Sequence, residues 1–253
     1  MRASLNVIGV IPARYESTRL KHKLLRTVCG KTLLQRTWEQ ALSARLLDRL
    51  IIACDHPDLE GAAKEFGAEA VLTSTQHSSG TDRIAEAVRD IDAQIVINIQ
   101  ADEPLVHPSV IDSLAREMSS GSGITMATVK KIITEKDEIN NPNTVKVISD
   151  KDDFAIYFSR LPIPYYRQQS DVGIYYKHLG IYAYTKDFLY TFKNLPNSYL
   201  EKAEKLEQLR ALESGYKIKV IETQFDSWGV DTEEDLLRLE EFLSNKSKIN
   251  KDI

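Results

Sequence analysis

The chain has 253 residues, 42% of them hydrophobic and 28% charged, with a formal net charge of −4. That balance fits a soluble globular protein with an adequate core, built as one large α/β domain or two small ones. It argues against a general nucleic-acid binder, which is normally basic, and no apolar run is long enough for a membrane span. Cys29 and Cys54 have neither metal-ligand spacing nor a disulfide pattern, which suits a reducing, cytoplasmic setting.

Taken in chain order, Val7–Ala13 is a short apolar run that reads as a buried strand. It opens at once into a cationic turn carrying Arg14, Arg19 and Lys23. Residues 31–47 place Leu33, Leu34, Thr37, Trp38, Ala41, Leu42 and Leu46 on one helical face. Arg49–Cys54 and 69–73 read as strands, with a helix over 58–66 that Gly67 stops. A helix over Thr81–Asp92 leads to the strand Ile95–Ile99, which ends at Gln100-Ala101-Asp102-Glu103-Pro104. Unalternating apolar strands between helices predict a doubly wound, mostly parallel sheet of Rossmann-like, α/β type.

The second half is more mixed. Strands are predicted over 124–130, 144–149, 154–159 and 178–184, with an irregular Pro- and Tyr-rich stretch over 160–177. These form a smaller mixed α+β subdomain, about 124–185, laid against the main sheet within one domain spanning 1–243. A helix over 201–214, a strand over 217–222 and a helix over 232–243 follow, then a frayed tail over 244–253.

Four constellations carry chemistry. Three spaced cations after a strand can hold phosphates, because planar guanidinium groups bind them bidentately, although a solvated charged loop would look the same. Asp102 and Glu103 end an apolar strand, where carboxylates beside phosphates imply Mg²⁺, and where Asp-Glu-Pro is also ordinary turn chemistry. Asp231 or Thr232 makes a helix N-cap that could still reach a metal. Ser78–Arg83 opens a helix, as a cap or as a set of backbone donors for a nucleoside. His178 begins a strand with Tyr182 and Tyr184 at period two, which suits a pocket or plain sheet packing. Neither a Walker A loop nor a G-x-G-x-x-G fingerprint is present.

Taken together, IPARYESTRL at 11–20, HSSGTDR at 77–83, NIQADEP at 98–104, NPNTVKV at 141–147, IYFSR at 156–160, KHLGIYAY at 177–184, LEQLRALESG at 206–215 and GVDTEEDL at 229–236 resemble the 3-deoxy-manno-octulosonate (Kdo) cytidylyltransferases. The likeness spans nearly the whole chain in order and spacing. It implies a nucleotidyltransferase fold and attack of the Kdo anomeric hydroxyl on the α-phosphate of CTP. The products would be pyrophosphate and CMP-Kdo, for lipopolysaccharide biosynthesis in the cytoplasm. By this resemblance Arg14, Arg19 and Lys23 hold the triphosphate, and Asp102 and Asp231 ligate Mg²⁺. Pro12, Ala13, Ser79, Gly80 and Arg83 lie near the nucleoside, while Gln100, Arg160, His178, Tyr184, Glu207 and Gln208 meet the sugar. Arg14, Lys23, Asp102 and Asp231 form the catalytic set. A homodimer is implied, with contacts around 130–180, and neither nucleic acid nor membrane insertion is expected.

Two departures from the family pattern matter. Lys21-His22-Lys23-Leu24 stands where relatives carry Pro-Gly-Lys-Pro, which should loosen the phosphate loop, and Ala101 replaces a glycine, which would be strained at positive φ. The rival readings are a nucleotidyltransferase for another sugar acid, such as sialic acid, and a nucleotide-binding module without catalysis.

Overall fold

The computed structural model describes residues 6–121, 123–168 and 173–249. In chain order the elements are β1 (Val7–Ala13), β2 (Thr27–Val28), β3 (Lys31–Thr32), α1 (Leu33–Leu42), β4 (Arg49–Cys54), α2 (Pro57–Glu65), β5 (Glu69–Leu72), α3 (Gly80–Ala87), β6 (Ile95–Asn98) and α4 (Pro108–Met118). They continue with β7 (Met126–Ile132), α5 (Lys136–Asn140), β8 (Lys146–Ser149), β9 (Ala155–Ser159), β10 (Tyr176–Thr185), α6 (Lys186–Asn194), α7 (Tyr199–Glu204), α8 (Leu209–Glu213), β11 (Lys219–Glu222) and α9 (Glu233–Ile249). The described residues fall into two compact units, one drawn from 8–92, 98–109 and 227–249, the other from 6–7, 93–97 and 110–226.

The first unit is parallel α/β. β4 pairs with β1 and with β5, both in parallel, Ile51 lying opposite Val10 on one side and Glu69 on the other. Val10, Ile11, Ile51 and Ile52 are fully buried, as unalternating strands covered on both faces must be. Gly9 is needed for packing: a Cβ there would lie 2.9 Å from the side chains of Leu47 and Leu50. Thr32 caps α1 by accepting from the Gln35 N–H at 3.1 Å, and α1 buries Leu33, Leu34, Thr37 and Ala41. Leu42 and Leu46, expected on that buried face, are exposed. Leu20, Val28 and Leu33 pack with Val230, Leu236 and Leu239. Each buried Leu contributes about 1.5–3 kcal/mol, so this cluster fixes the end of the cationic turn beside the segment that carries Asp231.

In the second unit β7 lies between β10, antiparallel, and β11, parallel. β8 pairs antiparallel with β9 and β10. The mixed strands expected over 124–185 all belong to this unit. Between Leu179 and Tyr182 the β10 register shifts. The buried Thr128 hydroxyl lies 2.8 Å from the Ile181 carbonyl and 2.9 Å from His178 Nε2 at that irregularity.

Four differences from the sequence reading stand out. Helices α4 and α6 were not anticipated, although Val110, Ile111, Leu114, Ala115 and Met118, and Phe188, Leu189 and Phe192, carry helical spacing and are buried. The helix expected over 201–214 is two helices broken at Lys205, which adopts a left-handed φ of 55°. At the break the Glu204 carbonyl accepts from the Arg160 guanidinium at 2.7 Å, a contact with a distant residue. Finally, α9 runs on to Ile249, past the end expected at 243; residues 250–253 of the expected tail lie outside the described residues.

Candidate active site

The three cations and two carboxylates singled out in the sequence converge in the first unit. Lys23 Nζ donates to Asp102 Oδ2 at 2.6 Å and to Asp231 Oδ1 at 2.8 Å. Arg19 reaches the other Asp231 oxygen at 2.9 Å. Burial alone would lower the Lys23 pKa, but the two carboxylates outweigh it and the net shift is upward, so the ammonium stays charged.

Backbone contacts explain why these groups meet. The Val230 N–H donates to the Asp102 carbonyl at 2.9 Å, which ties the two carboxylate-bearing segments together. The buried Thr37 hydroxyl on α1 lies 2.9 Å from the Ala101 carbonyl, fixing the residue before Asp102. Thr232, not Asp231, caps α9: its hydroxyl accepts from the Asp235 N–H at 3.2 Å. The Asp235 carboxylate in turn accepts from the N–H groups of Asp231 and Thr232, both at 3.0 Å. That exchange leaves the Asp231 carboxylate to the cations.

A cavity of about 280 Å³ opens over this cluster, lined by Pro12, Arg14, Arg19, Lys23, Gln100, Asp102 and Asp231 among others. Arg14 is exposed, and its guanidinium donates to the His77 carbonyl at 2.9 Å. The two departures resolve differently. Ala101 is not among the residues with positive φ, so it carries no such strain. His22, in the other departing segment, does adopt a left-handed φ of 51°. Its ring lies 4.2 Å from that of Tyr15, which stacks on His56 at 3.8 Å. Ring contacts therefore brace this loop.

The nucleoside residues divide. Gly80 sits against Pro12, where an added Cβ would come to 3.4 Å from the ring, so the start of α3 meets the end of β1. Ala13 is buried in β1. The Ser79 hydroxyl caps α3 by accepting from the Asp82 N–H at 3.1 Å, the capping alternative weighed from sequence. Arg83 is only 1% exposed. Its guanidinium donates to Asp55 Oδ2 at 3.0 Å and to the Thr73 hydroxyl at 2.6 Å. Burial lowers the Arg83 pKa, and Asp55 opposes that shift. Arg83 therefore braces Asp55. Asp55 in turn accepts from the Tyr15 N–H at 2.8 Å. The sequence reading missed Asp55, Thr37 and Tyr15; an aspartate directly ending an apolar strand was the available signal for the first. The neighbouring Cys54 thiol, pushed up to about 11 by burial, is not a nucleophile.

Gln100 belongs to the first unit, where its amide donates to Asn98 Oδ1 at 3.3 Å. The remaining expected sugar contacts lie in the second. Arg160 also donates to the Pro142 carbonyl at 2.8 Å, so part of its guanidinium is already engaged by backbone. Desolvation pulls the His178 pKa down to about 3, and its ring meets Phe158 edge-on at 5.1 Å. Tyr184 is 1% exposed and stacks with Phe192 at 5.8 Å, a core position. Because the helix breaks at Lys205, Glu207 and Gln208 lie on the segment between α7 and α8. Gln208 is buried, and its Nε2 has no hydrogen-bond partner among the described residues. Such an atom costs about 1–3 kcal/mol unless something accepts from it.

A parallel α/β unit with cations and carboxylates gathered at strand ends is the architecture of a nucleotidyltransferase. The family model described as "Cytidylyltransferase" matches residues 8–218. The 3-deoxy-manno-octulosonate cytidylyltransferase of Solibacter usitatus is 48% identical over 233 residues, covering 92% of this chain and 92% of its own. That of Syntrophotalea carbinolica is 44% identical over 248 residues, covering 94% and 99%. Among solved structures, CMP:2-keto-3-deoxy-manno-octonic acid synthetase complexed with CTP matches with a TM-score of 0.91 at 38% identity, covering 95% of this chain and 99% of that one. The protein belongs to the cytidylyltransferases, and within them to the 3-deoxy-manno-octulosonate cytidylyltransferase family.

Proposed function

We propose that this protein couples CTP to Kdo, releasing pyrophosphate and forming CMP-Kdo for lipopolysaccharide biosynthesis. The observation that carries the reading is the convergence of Lys23, Arg19, Asp102 and Asp231 in one cavity. The names of the relatives, and the CTP held by the solved one, support it.

In this reaction the anomeric oxygen forms a bond to the α-phosphorus, and the bond from that phosphorus to the bridging oxygen of the β-phosphate breaks. The electron pair leaves with pyrophosphate, and the hydroxyl proton passes to solvent. Such transfers need positioning and charge neutralisation more than covalent help. Arg14, Arg19 and Lys23 would neutralise the triphosphate and the departing pyrophosphate.

The donor set fits Mg²⁺. Two carboxylates whose oxygens already meet on one ammonium offer the hard-oxygen pair that the ion takes alongside substrate phosphates. Asp102 and Asp231 would hold it, and the ion would supply Lewis-acid charge stabilisation and a more acidic attacking hydroxyl.

On the sugar side, Gln208 Nε2 is a donor seeking an acceptor, and the N–H groups of Arg160 not given to backbone suit a carboxylate. With a pKa near 3, His178 stays neutral and would orient by hydrogen bonding instead of serving as a general base. Tyr184 would shape the site from within the core. We assign the reaction to the cytoplasm and the active form to a homodimer. The exposed Ile156, Leu161, Tyr165 and Ile174 support a contact in the 130–180 region, and light scattering showing a monomer at micromolar concentration would overturn that part.

The test is pyrophosphate release from CTP with Kdo and Mg²⁺, beside UTP, sialic acid and metal-free controls. Release that requires CTP, Kdo and metal together supports the reading. Activity with another sugar acid alone would reassign the substrate, and silence with every sugar from protein that binds CTP would refute catalysis.

A further inference from the structure

We propose that Lys23 is a displaceable plug on the metal-binding carboxylates, so that the divalent cation binds well only once a nucleotide triphosphate has drawn the ammonium away. The inference rests on the cytidylyltransferase reading and deepens it by assigning an order to ligand binding.

Three observations carry it. First, the Lys23 ammonium bridges one oxygen of each aspartate, at 2.6 and 2.8 Å. An ion held through those same two oxygens, at roughly 2.0–2.1 Å for Mg²⁺, would occupy the place of the ammonium. Second, the plug is well seated. The Lys23 side chain is 11% exposed, and Arg19 occupies the other Asp231 oxygen at 2.9 Å. Two carboxylates and two cations balance, so the free protein presents little net charge to an incoming ion. Third, the plug has somewhere to go. Lys23 lines the same cavity as Arg14 and Arg19, and its flexible four-carbon stem lets the ammonium swing within that cavity toward an anion held there. A triphosphate brings its own negative charge, so it both attracts Lys23 and restores the attraction of the site for a cation. Coupling of this kind is reciprocal: metal must raise nucleotide affinity by the factor by which nucleotide raises metal affinity.

The test measures Mn²⁺ binding by electron paramagnetic resonance, with and without CTP and in the absence of sugar, so no turnover is involved. In the wild-type protein Mn²⁺ should bind weakly alone and at least tenfold more tightly with CTP. Lys23→Met should bind Mn²⁺ roughly tenfold more tightly than wild type without CTP, because a unit positive charge has left its ligands. The enhancement by CTP should shrink in that variant. Lys23→Arg, which keeps the cation, should retain the weak basal affinity, and Lys23→Gln provides a second neutral variant if the methionine protein does not fold. Equal Mn²⁺ affinity in the wild-type and neutral variants without CTP overturns the plug while leaving the metal assignment intact. Absence of Mn²⁺ binding in every protein even with CTP overturns the metal assignment and the plug with it.

Discussion

Thr37 links the core of the first unit to the chemistry, and Thr37→Val tests that link. The hydroxyl is fully buried and lies 2.9 Å from the Ala101 carbonyl and 3.2 Å from that of Leu33. It has one proton, and the shorter contact directs that proton to Ala101, since the Leu33 carbonyl already serves the helix. Valine keeps the shape but leaves the carbonyl without this donor, costing about 1–3 kcal/mol. At about 2–4 °C per kcal/mol for a chain of this size, Tm should fall by about 2–12 °C. The same carbonyl immediately precedes Asp102, so the carboxylate loses a fixed backbone. Displacements under an ångström can lower kcat by about ten- to a hundredfold. Thr37→Ser, which retains the hydroxyl, should keep kcat near wild type. Pyrophosphate release and thermal unfolding report the two effects separately. A Thr37→Val protein with lowered Tm and wild-type kcat would show that the hydroxyl serves only the fold, refuting the positional argument.

Asp102→Asn should lower kcat by at least about a thousandfold while circular dichroism and Tm stay close to wild type; Lys23 keeps Asp231 as a partner, and near-normal turnover would sink the metal assignment. Arg83→Met removes the partner of Asp55 inside the protein and should cost about 3–5 kcal/mol, measured by urea unfolding; a loss under 1 kcal/mol would mean that the pair is not an internal brace. His178 gives a pH signature. Its folded pKa lies near 3, below the ordinary 6.5, so between these values the unfolded chain binds the extra proton. Its contribution is intact above about pH 6.5 and is lost as pH falls toward 3, at about 1.4 kcal/mol per pH unit. His178→Phe should flatten the stability curve between pH 4 and 6 relative to wild type, and parallel curves would contradict the assignment.

Much of the parallel unit was legible because buried strands leave a simple trace. Val7–Ala13 and, after Arg49, Leu50 to Cys54 are apolar runs followed at once by Arg14 and Asp55, and both lie in strands. Helices α4 and α6 carry equally plain spacing and went unread beside Pro108 and within an aromatic-rich stretch, where local punctuation masked the period. The break at Lys205 had no local sign, and the group that meets the Glu204 carbonyl there is Arg160, more than forty positions away.

The site shows the same division. Sequence by itself determined the chemical types: three cations after one strand, a carboxylate after another, and a second carboxylate at a helix start; the left-handed backbone it led one to suspect at Ala101 lies instead at His22. Residue type and spacing along the chain are local properties, and they limit what chemistry is available. Only the tertiary structure decided how those groups are used. It made Thr232 the cap and so released Asp231, buried Arg83 as a brace on Asp55, placed Tyr184 in the core, and set Lys23 between two aspartates from segments 79 and 208 positions away. Whether a charge is solvated, paired or shared depends on neighbours brought together by folding, and no periodicity in the chain encodes that distance.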